Sequence, residues 1–200
     1  MARRQSPFTR KAGDERYKNT FSLICEGAVT EKEYFQWLNR QYSDRSILIK
    51  VIKRPVHKSS PKDLIEAANG FSIKGRKESD ELWVICDKDQ WTAEHFEQLL
   101  NWKRKKRFHH LAVSAPKFEY WILLHKSDCK NLSVQEVDLQ FKRWMGEGKH
   151  IKEHLLSLEK ARQAAQRAQE KHKSCEGDIP TTCGSTVYHL IEKLDRIGDH

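Results

Sequence analysis

The chain reads as an α/β protein, an open, mainly parallel sheet with helices on both faces, followed by an all-helical C-terminal extension. Three observations carry this expectation. Short branched or aromatic runs alternate with capped amphipathic segments up to residue 125, and strands alternating with helices imply right-handed crossovers and a parallel, Rossmann-like sheet covered on both sides. From Asn131 onward only helical spacing remains. Two hundred residues, 32% charged and 10% aromatic, suit one packed core with an appendage rather than a disordered chain.

Taken in order, Thr20 to Cys25 (TFSLIC) predicts a first strand. Thr30 and Glu33 have the spacing of a capping box opening a helix on which Tyr34, Trp37 and Leu38 share one face. Ile47 to Ile52 (ILIKVI) predicts a second strand, and Ser60-Pro61 starts a helix carrying Leu64, Ile65 and Ala68. Glu81 to Cys86 (ELWVIC) predicts a third strand, Thr92 to Arg107 a helix, and His110 to Ala115 (HLAVSA) a fourth strand, followed by an apolar helix from Pro116 to His125. Ser133 with Glu136 makes a second capping box, and Ile151, Leu155, Leu158, Arg162, Ala165 and Ala168 follow helical spacing along one long charged helix reaching His172. Gly177 to Gly184 breaks the pattern, and Ser185 opens a last helix with Val187, Leu190, Ile191 and Leu194 as its stripe. The expected organisation is a basic tail over 1–18, an α/β core over 19–128 and a helical extension over 129–200 packed on that core.

Mean hydropathy is -0.81. No apolar run approaches the length of a membrane span, and the charged N-terminus lacks the apolar centre of a signal peptide, so no membrane association is expected and the cytoplasm is the expected compartment. Five cysteines, an odd count with no C-x-x-C pair, argue against a disulfide framework or a zinc ribbon. Cys25 and Cys86 lie in apolar runs and read as core residues, and a cluster of His125, Cys129, His172 and Cys175 fits no standard metal spacing.

The net charge of +9 is concentrated. Residues 1–18 carry six Lys or Arg against two acids, Lys103, Arg104, Lys105, Lys106 and Arg107 stand without an acid in NWKRKKRFHH, and the rest of the chain is balanced. Clustered cations suit a polyanion such as nucleic acid, through counterion release. A solvated tail and a helix end whose cations offset the dipole account for the same residues.

In a parallel sheet the residues just beyond the strand C-termini gather along one edge, where open α/β folds bind ligands. Glu26 follows the first strand directly, Asp87 follows the third, and Asp89 comes two residues later in CDKDQ. In extended chain, positions i and i+2 project to the same side. Three carboxylates that close resist ionising unless a cation shares the site, and a hard divalent ion, Mg²⁺ or Mn²⁺, binds carboxylates together with phosphate oxygens. Phosphodiester substrates follow from that chemistry. Turn-forming Asp residues and a Glu at a helix N-terminus are the plainer account of each position by itself. Glu119, between Phe118 and Trp121, is costly to bury unpaired and is either a site residue facing the sheet edge or a buried ion-pair partner, and His125 is a polar neighbour or a substrate-binding group.

These stretches resemble those of the RloB-like proteins. ICEGAVTEKEYF resembles their E-G-x-x-T-E-x-x-Y-F signature, WVICDKDQ their W-x-x-x-D-x-D stretch, APKFEYWILLH their N-P-x-F-E-x-W-x-L-L-H stretch, and STVYHLIEKL their closing helix, in the same order over about residues 15 to 195. The resemblance implies a Toprim-type catalytic fold with Glu26 as the acidic residue and Asp87 and Asp89 as the D-x-D pair. It also implies a place in bacterial or archaeal anti-phage loci, commonly beside an ATPase partner. Ala115 stands where the family has Asn before Pro116, and Cys183-Gly184 where an Asn-Pro often precedes the last motif.

The expected function is a Mg²⁺- or Mn²⁺-dependent nuclease acting on DNA or RNA, with Glu26, Asp87 and Asp89 on metal, Glu119 also catalytic and Lys103 to Arg107 holding the polyanion. The competing reading is a non-catalytic subunit that docks on the ATPase and senses nucleic acid, with nucleotidyl transfer, as in primases, a third. A homo-oligomer is compatible with all of them.

Overall fold

The computed structural model describes residues 19–43, 46–54, 60–71, 77–89, 91–173 and 177–198, so the basic tail over 1–18 lies outside the described residues. Strands β1 (Asn19–Cys25), β2 (Ile47–Val51), β3 (Glu81–Asp87), β4 (His109–Ala115) and β5 (Gly184–Ser185) form one open sheet in the order β2-β1-β3-β4-β5. The first four run parallel, and β5 pairs antiparallel with the outer side of β4. Helices α1 (Thr30–Gln41), α2 (Pro61–Gly70) and α3 (Ala93–Arg104) connect the parallel strands, and α4 (Phe118–Leu124), α5 (Val134–Met145), α6 (Leu158–His172) and α7 (Tyr188–Gly198) follow. The expected α/β class with an open, mainly parallel sheet is therefore what the chain forms.

Successive residues of a strand face opposite sides of a sheet, and both sides here are covered. On β3, Trp83 and Ile85 join Phe21, Leu23 and the apolar faces of α1 and α4 to α7. Leu82, Val84 and Cys86 join Ile24, Leu111, Val113 and the stripes of α2 and α3 on the other side. Trp83, Trp102 and Trp121 are almost fully enclosed, and burying a large apolar side chain contributes on the order of 1.5–3 kcal/mol each. Cys25 and Cys86 are core residues, as their apolar runs suggest.

Helix starts follow local chemistry. Ser60 with Asp63, Thr92 with His95 and Ser133 with Glu136 all form reciprocal capping boxes, each satisfying backbone donors that the first helical turn leaves open. The Thr30 and Glu33 box does not form. Val29 precedes α1 without a side-chain cap, while the Glu33 carboxylate instead accepts from the Ile151 N–H at 2.8 Å and pairs with His150. A tertiary partner outcompetes the local one there. The long helix expected from Ile151 is shorter: a 3-10 turn spans Glu153–Leu155, and Ser157 caps a separate α6. The C-terminal third is also not helical throughout, because Gly184 and Ser185 supply β5 before the last helix.

The chain passes from β1 through α1 to β2, then back over β1 through α2 to β3. That reversal makes the gap between the C-terminal ends of β1 and β3 the topological switch point, where open α/β sheets leave a crevice.

Candidate functional site

Glu26 and Asp87 flank the switch point. Hydrogen bonding between the strands continues one step past β1, with Glu26 N–H donating to the Ile85 carbonyl at 2.9 Å. The chain then turns, and Glu26 Oε2 accepts from the Asp87 backbone N–H at 2.9 Å. Glu26 and Asp87 are therefore joined through the Asp87 backbone. Asp89 lies on the exposed side of the loop, near enough for its charge to act on both Glu26 and Asp87.

Two more carboxylates complete the group. Glu119 is buried at the start of α4, directly beyond β4, and its charge adds to that felt by Asp87. The Thr30 hydroxyl lies 3.0 Å from Glu119 Oε1 and 3.0 Å from the Lys149 carbonyl, so its one proton serves a single acceptor at a time. Lys117 Nζ stands 3.9 Å from Glu119 Oε2 and 2.7 Å from Asp138 Oδ1. Glu119 is thus buried close to the rim carboxylates and has Lys117 as an ion-pair partner.

Glu31, the second acid of the EGAVTE stretch, has no role that its sequence context alone assigns. It is 4% exposed, its Oε1 accepts from the Gly27 N–H at 2.7 Å, and it acts electrostatically on both Asp87 and Glu26. Its carboxyl group covers Gly27 so closely that a Cβ at that glycine would fall 1.7 Å from Glu31 Oε2. The glycine after Glu26 is there to admit this side chain. A signal was present in the sequence: Glu31, Tyr34, Phe35 and Leu38 share the helical spacing of one buried face.

The protonation equilibria respond to this crowding. Burial above all, with Glu31 and Asp89 adding and the Asp87 N–H and Arg54 opposing, raises the Glu26 carboxyl to about 7. Burial and then Glu31, Glu26, Glu119 and Asp89 push Asp87 well above the carboxylate range. Glu31 is raised by burial and by Glu119, against hydrogen bonds from its own N–H and that of Gly27. Burial works to lower Lys117, but its bond to Asp138 and the charges of Glu119 and Asp138 outweigh that and keep it firmly protonated. Asp87 Oδ1 is sealed from solvent and has no hydrogen-bond partner, an arrangement that carries a free-energy penalty unless a cation or proton supplies the missing contact.

The basic stretch stands elsewhere. α3 runs back across the sheet, so Lys103, Arg104, Lys105, Lys106 and Arg107 lie beside the N-terminal end of β4, about 20 Å along the strand from the carboxylates. Lys103 pairs with Asp178 at 2.7 Å, Arg104 with Glu97 at 3.3 Å, and Lys106 sits over the Phe108 ring. These five residues do not line the carboxylate rim.

His125 is enclosed among Tyr34, Trp37 and Trp121, with Nε2 at 3.2 Å from the Tyr34 hydroxyl. Burial, aided by Arg167 and Lys160, lowers it to about 3, so it is a neutral core residue. His172 instead bonds Tyr188 and Gly177, and Cys175 lies outside the described residues, so the imagined cluster with Cys129 is not assembled among those that are described. Among the described residues no helix is long and apolar enough to cross a membrane.

Comparison with curated proteins and with solved structures found no match for this chain. A family model described as RloB-like protein matches residues 21–194, a span that contains Glu26, Glu31, Asp87, Asp89 and Glu119. The chain belongs to the RloB-like family.

Proposed function

We propose that this chain is a metal-dependent nuclease, hydrolysing phosphodiester bonds of DNA or RNA at the β1–β3 crevice, and that the sheet is a Toprim-type catalytic core. The observation that carries the reading is the sealed, unpartnered Asp87 Oδ1, beside Glu26 and Glu31 whose carboxyls burial raises as it raises that of Asp87. Carboxylate oxygens are the donor set of a hard divalent ion, so Glu26, Asp87 and Asp89 fit Mg²⁺ or Mn²⁺. Glu26 and Asp87 would hold it, with Asp89 at the open side. The ion would supply Lewis-acid polarisation of a phosphoryl oxygen.

The chain's own groups divide the remaining work. Glu119, held by Thr30 and Lys117, is the carboxylate placed to orient an attacking water and take its proton. Lys117 adds a fixed positive charge beside developing negative charge on phosphate. Glu31 fixes the Glu26-Gly27 turn by binding the Gly27 N–H, and so holds Glu26 toward Asp87. Family membership supports a further proposal, that the protein serves anti-phage defence in the cytoplasm with an ATPase partner.

The purified chain, incubated with plasmid DNA and with total RNA, is expected to cut one of them in the presence of Mg²⁺ and not with EDTA. Asp87→Asn and Glu26→Gln should each lower cutting at least 100-fold with circular dichroism unchanged. Full activity in both variants would remove the reading. A second reading, a non-catalytic nucleic-acid-sensing subunit, draws on a specific feature: Glu26, Glu31 and Glu119 each already have an internal hydrogen-bond partner, as structural carboxylates do. Metal-independent nucleic-acid binding with no cleavage, alone or with the ATPase, would favour it.

A further inference from the structure

Beside the carboxylates, on the β2 side of Glu26, a cavity of about 310 Å³ has Cys25, Lys32, Val51, Ile52, Lys53 and Arg54 in its lining. We propose that it is a phosphate subsite for single-stranded nucleic acid, seating the nucleotide next to the bond that is cut. This rests on the nuclease reading and adds to it where the strand lies and which residues grip it.

The lining is one-sided in charge. Lys32, Lys53 and Arg54 contribute three cations, and no acid faces the cavity among its lining residues. Lys32 and Lys53 are exposed and form no ion pair among the described residues, unlike Lys103 and Arg104 at the far edge, which are tied to Asp178 and Glu97. Arg54 is anchored rather than waving in solvent: its Nε donates to the Cys25 carbonyl at 2.6 Å, and its guanidinium also binds the Glu26 carbonyl. A cation fixed to the backbone of Glu26 sets the distance between the cavity and the carboxylates. On this assignment one phosphate of the strand lies at the Asp87 rim and its neighbour among Lys32, Lys53 and Arg54.

The shape argues for one strand. Cys25, Val51 and Ile52 add apolar lining to the cavity beside the charged groups, as a sugar and base edge beside a phosphate would need, and its volume admits about one nucleotide and not a duplex. The Lys and Arg side chains reward phosphate through counterion release without reading sequence.

The test is salt-dependent binding of labelled single-stranded RNA and DNA oligonucleotides to the full chain in EDTA, where nothing is cut. The double variant Lys32→Gln/Lys53→Gln is expected to bind roughly tenfold more weakly near 0.1 M salt, with the slope of log affinity against log salt smaller by about 1 to 1.5. Arg104→Gln/Lys105→Gln, at the far edge of the sheet, should bind as wild type. An unchanged affinity and slope in the Lys32/Lys53 variant would overturn the subsite while leaving the catalytic reading intact. Undiminished cutting by Asp87→Asn, alongside weak binding by the Lys32/Lys53 variant, would instead sink the catalytic reading and keep the subsite. A mononucleotide, or a duplex of equal length, competing as well as the single strand would show that the cavity takes something other than a single strand and would overturn the assignment.

Discussion

Burial raises Glu26 to about 7, against an ordinary value near 4.3 for an exposed Glu. The folded chain therefore holds this proton more tightly than the unfolded chain does. Between about pH 4.5 and 7 the unfolded state binds fewer protons, so the contribution of Glu26 to stability is present in acid and is lost as pH rises through that window. Asp87 and Glu31 act in the same direction, whereas His110 and His125, both lowered to about 3 by burial, lose stability as pH falls below about 6.5. The total profile mixes these signs, so the difference between proteins is what isolates Glu26. Metal-free Glu26→Gln is expected to gain in melting temperature relative to wild type as pH rises from 5 to 8, by about 2–4 °C for each kcal/mol in a chain of this size. Parallel melting profiles for the two proteins would refute the raised value. At Gly27, a Cβ has no room beside Glu31. Gly27→Ala should cost about 1–3 kcal/mol and abolish cutting, and Gly27→Ala/Glu31→Ala should recover most of the stability but not the activity. Additive losses in urea unfolding of the double variant would mean that the two residues do not meet.

Elements show where local pattern suffices and where it does not. The spacings of Ser60 with Asp63, Thr92 with His95 and Ser133 with Glu136 became capping boxes because both partners lie within one turn and nothing else reaches them. Thr30 and Glu33 have the same spacing, but the segment around His150 and Ile151 folds over α1 and takes Glu33. Helix α6 shows a related limit. Its apolar spacing was legible, but its start was not, because the Ser157 cap overrides the periodicity running back to Ile151. Ala161, Ala164, Ala165 and Ala168 lie against neighbouring helices, and Ala161, Ala164 and Ala168 are fully enclosed. Small residues set the close approach there, so Ala164→Leu is expected to destabilise by about 1–3 kcal/mol through overpacking, while Gln166→Ala on the exposed side changes stability by less than about 0.5 kcal/mol. Equal urea midpoints for the two variants would contradict this packing.

At the scale of the molecule, the C-terminal third is part of the sheet's own stability. Thr186 Oγ1 accepts from the Val113 N–H at 2.8 Å, Ser185 and Ser114 share a buried hydroxyl contact at 2.9 Å, and α7 delivers Leu190, Ile191 and Leu194 to the main core. A chain ending before Gly177 would leave the edge of β4 unpaired and that core face open to water. It is expected to lose cooperative thermal unfolding and to bind a hydrophobic dye. A sharp melting transition close to that of the full chain would mean that the α/β core stands by itself.

What the sequence determined by itself is what short-range chemistry controls: the alternation of strands and helices, most helix starts, the apolar faces, and the placing of Glu26 just past the end of β1 and of Asp87 at the end of β3. Each depends on residues within a turn or a strand of one another, so spacing alone exposes it. Only the tertiary structure decided which strands are neighbours, and with that the meeting of Glu26 with Asp87 across the β1–β3 crevice, the arrival of Glu31 and Glu119, and the removal of Lys103 to Arg107 to the opposite edge. Hydrophobic periodicity says that a strand is buried but not beside what. Charges far apart in the chain come together or stay apart according to strand order and crossover direction, and those are settled by packing the whole sheet at once.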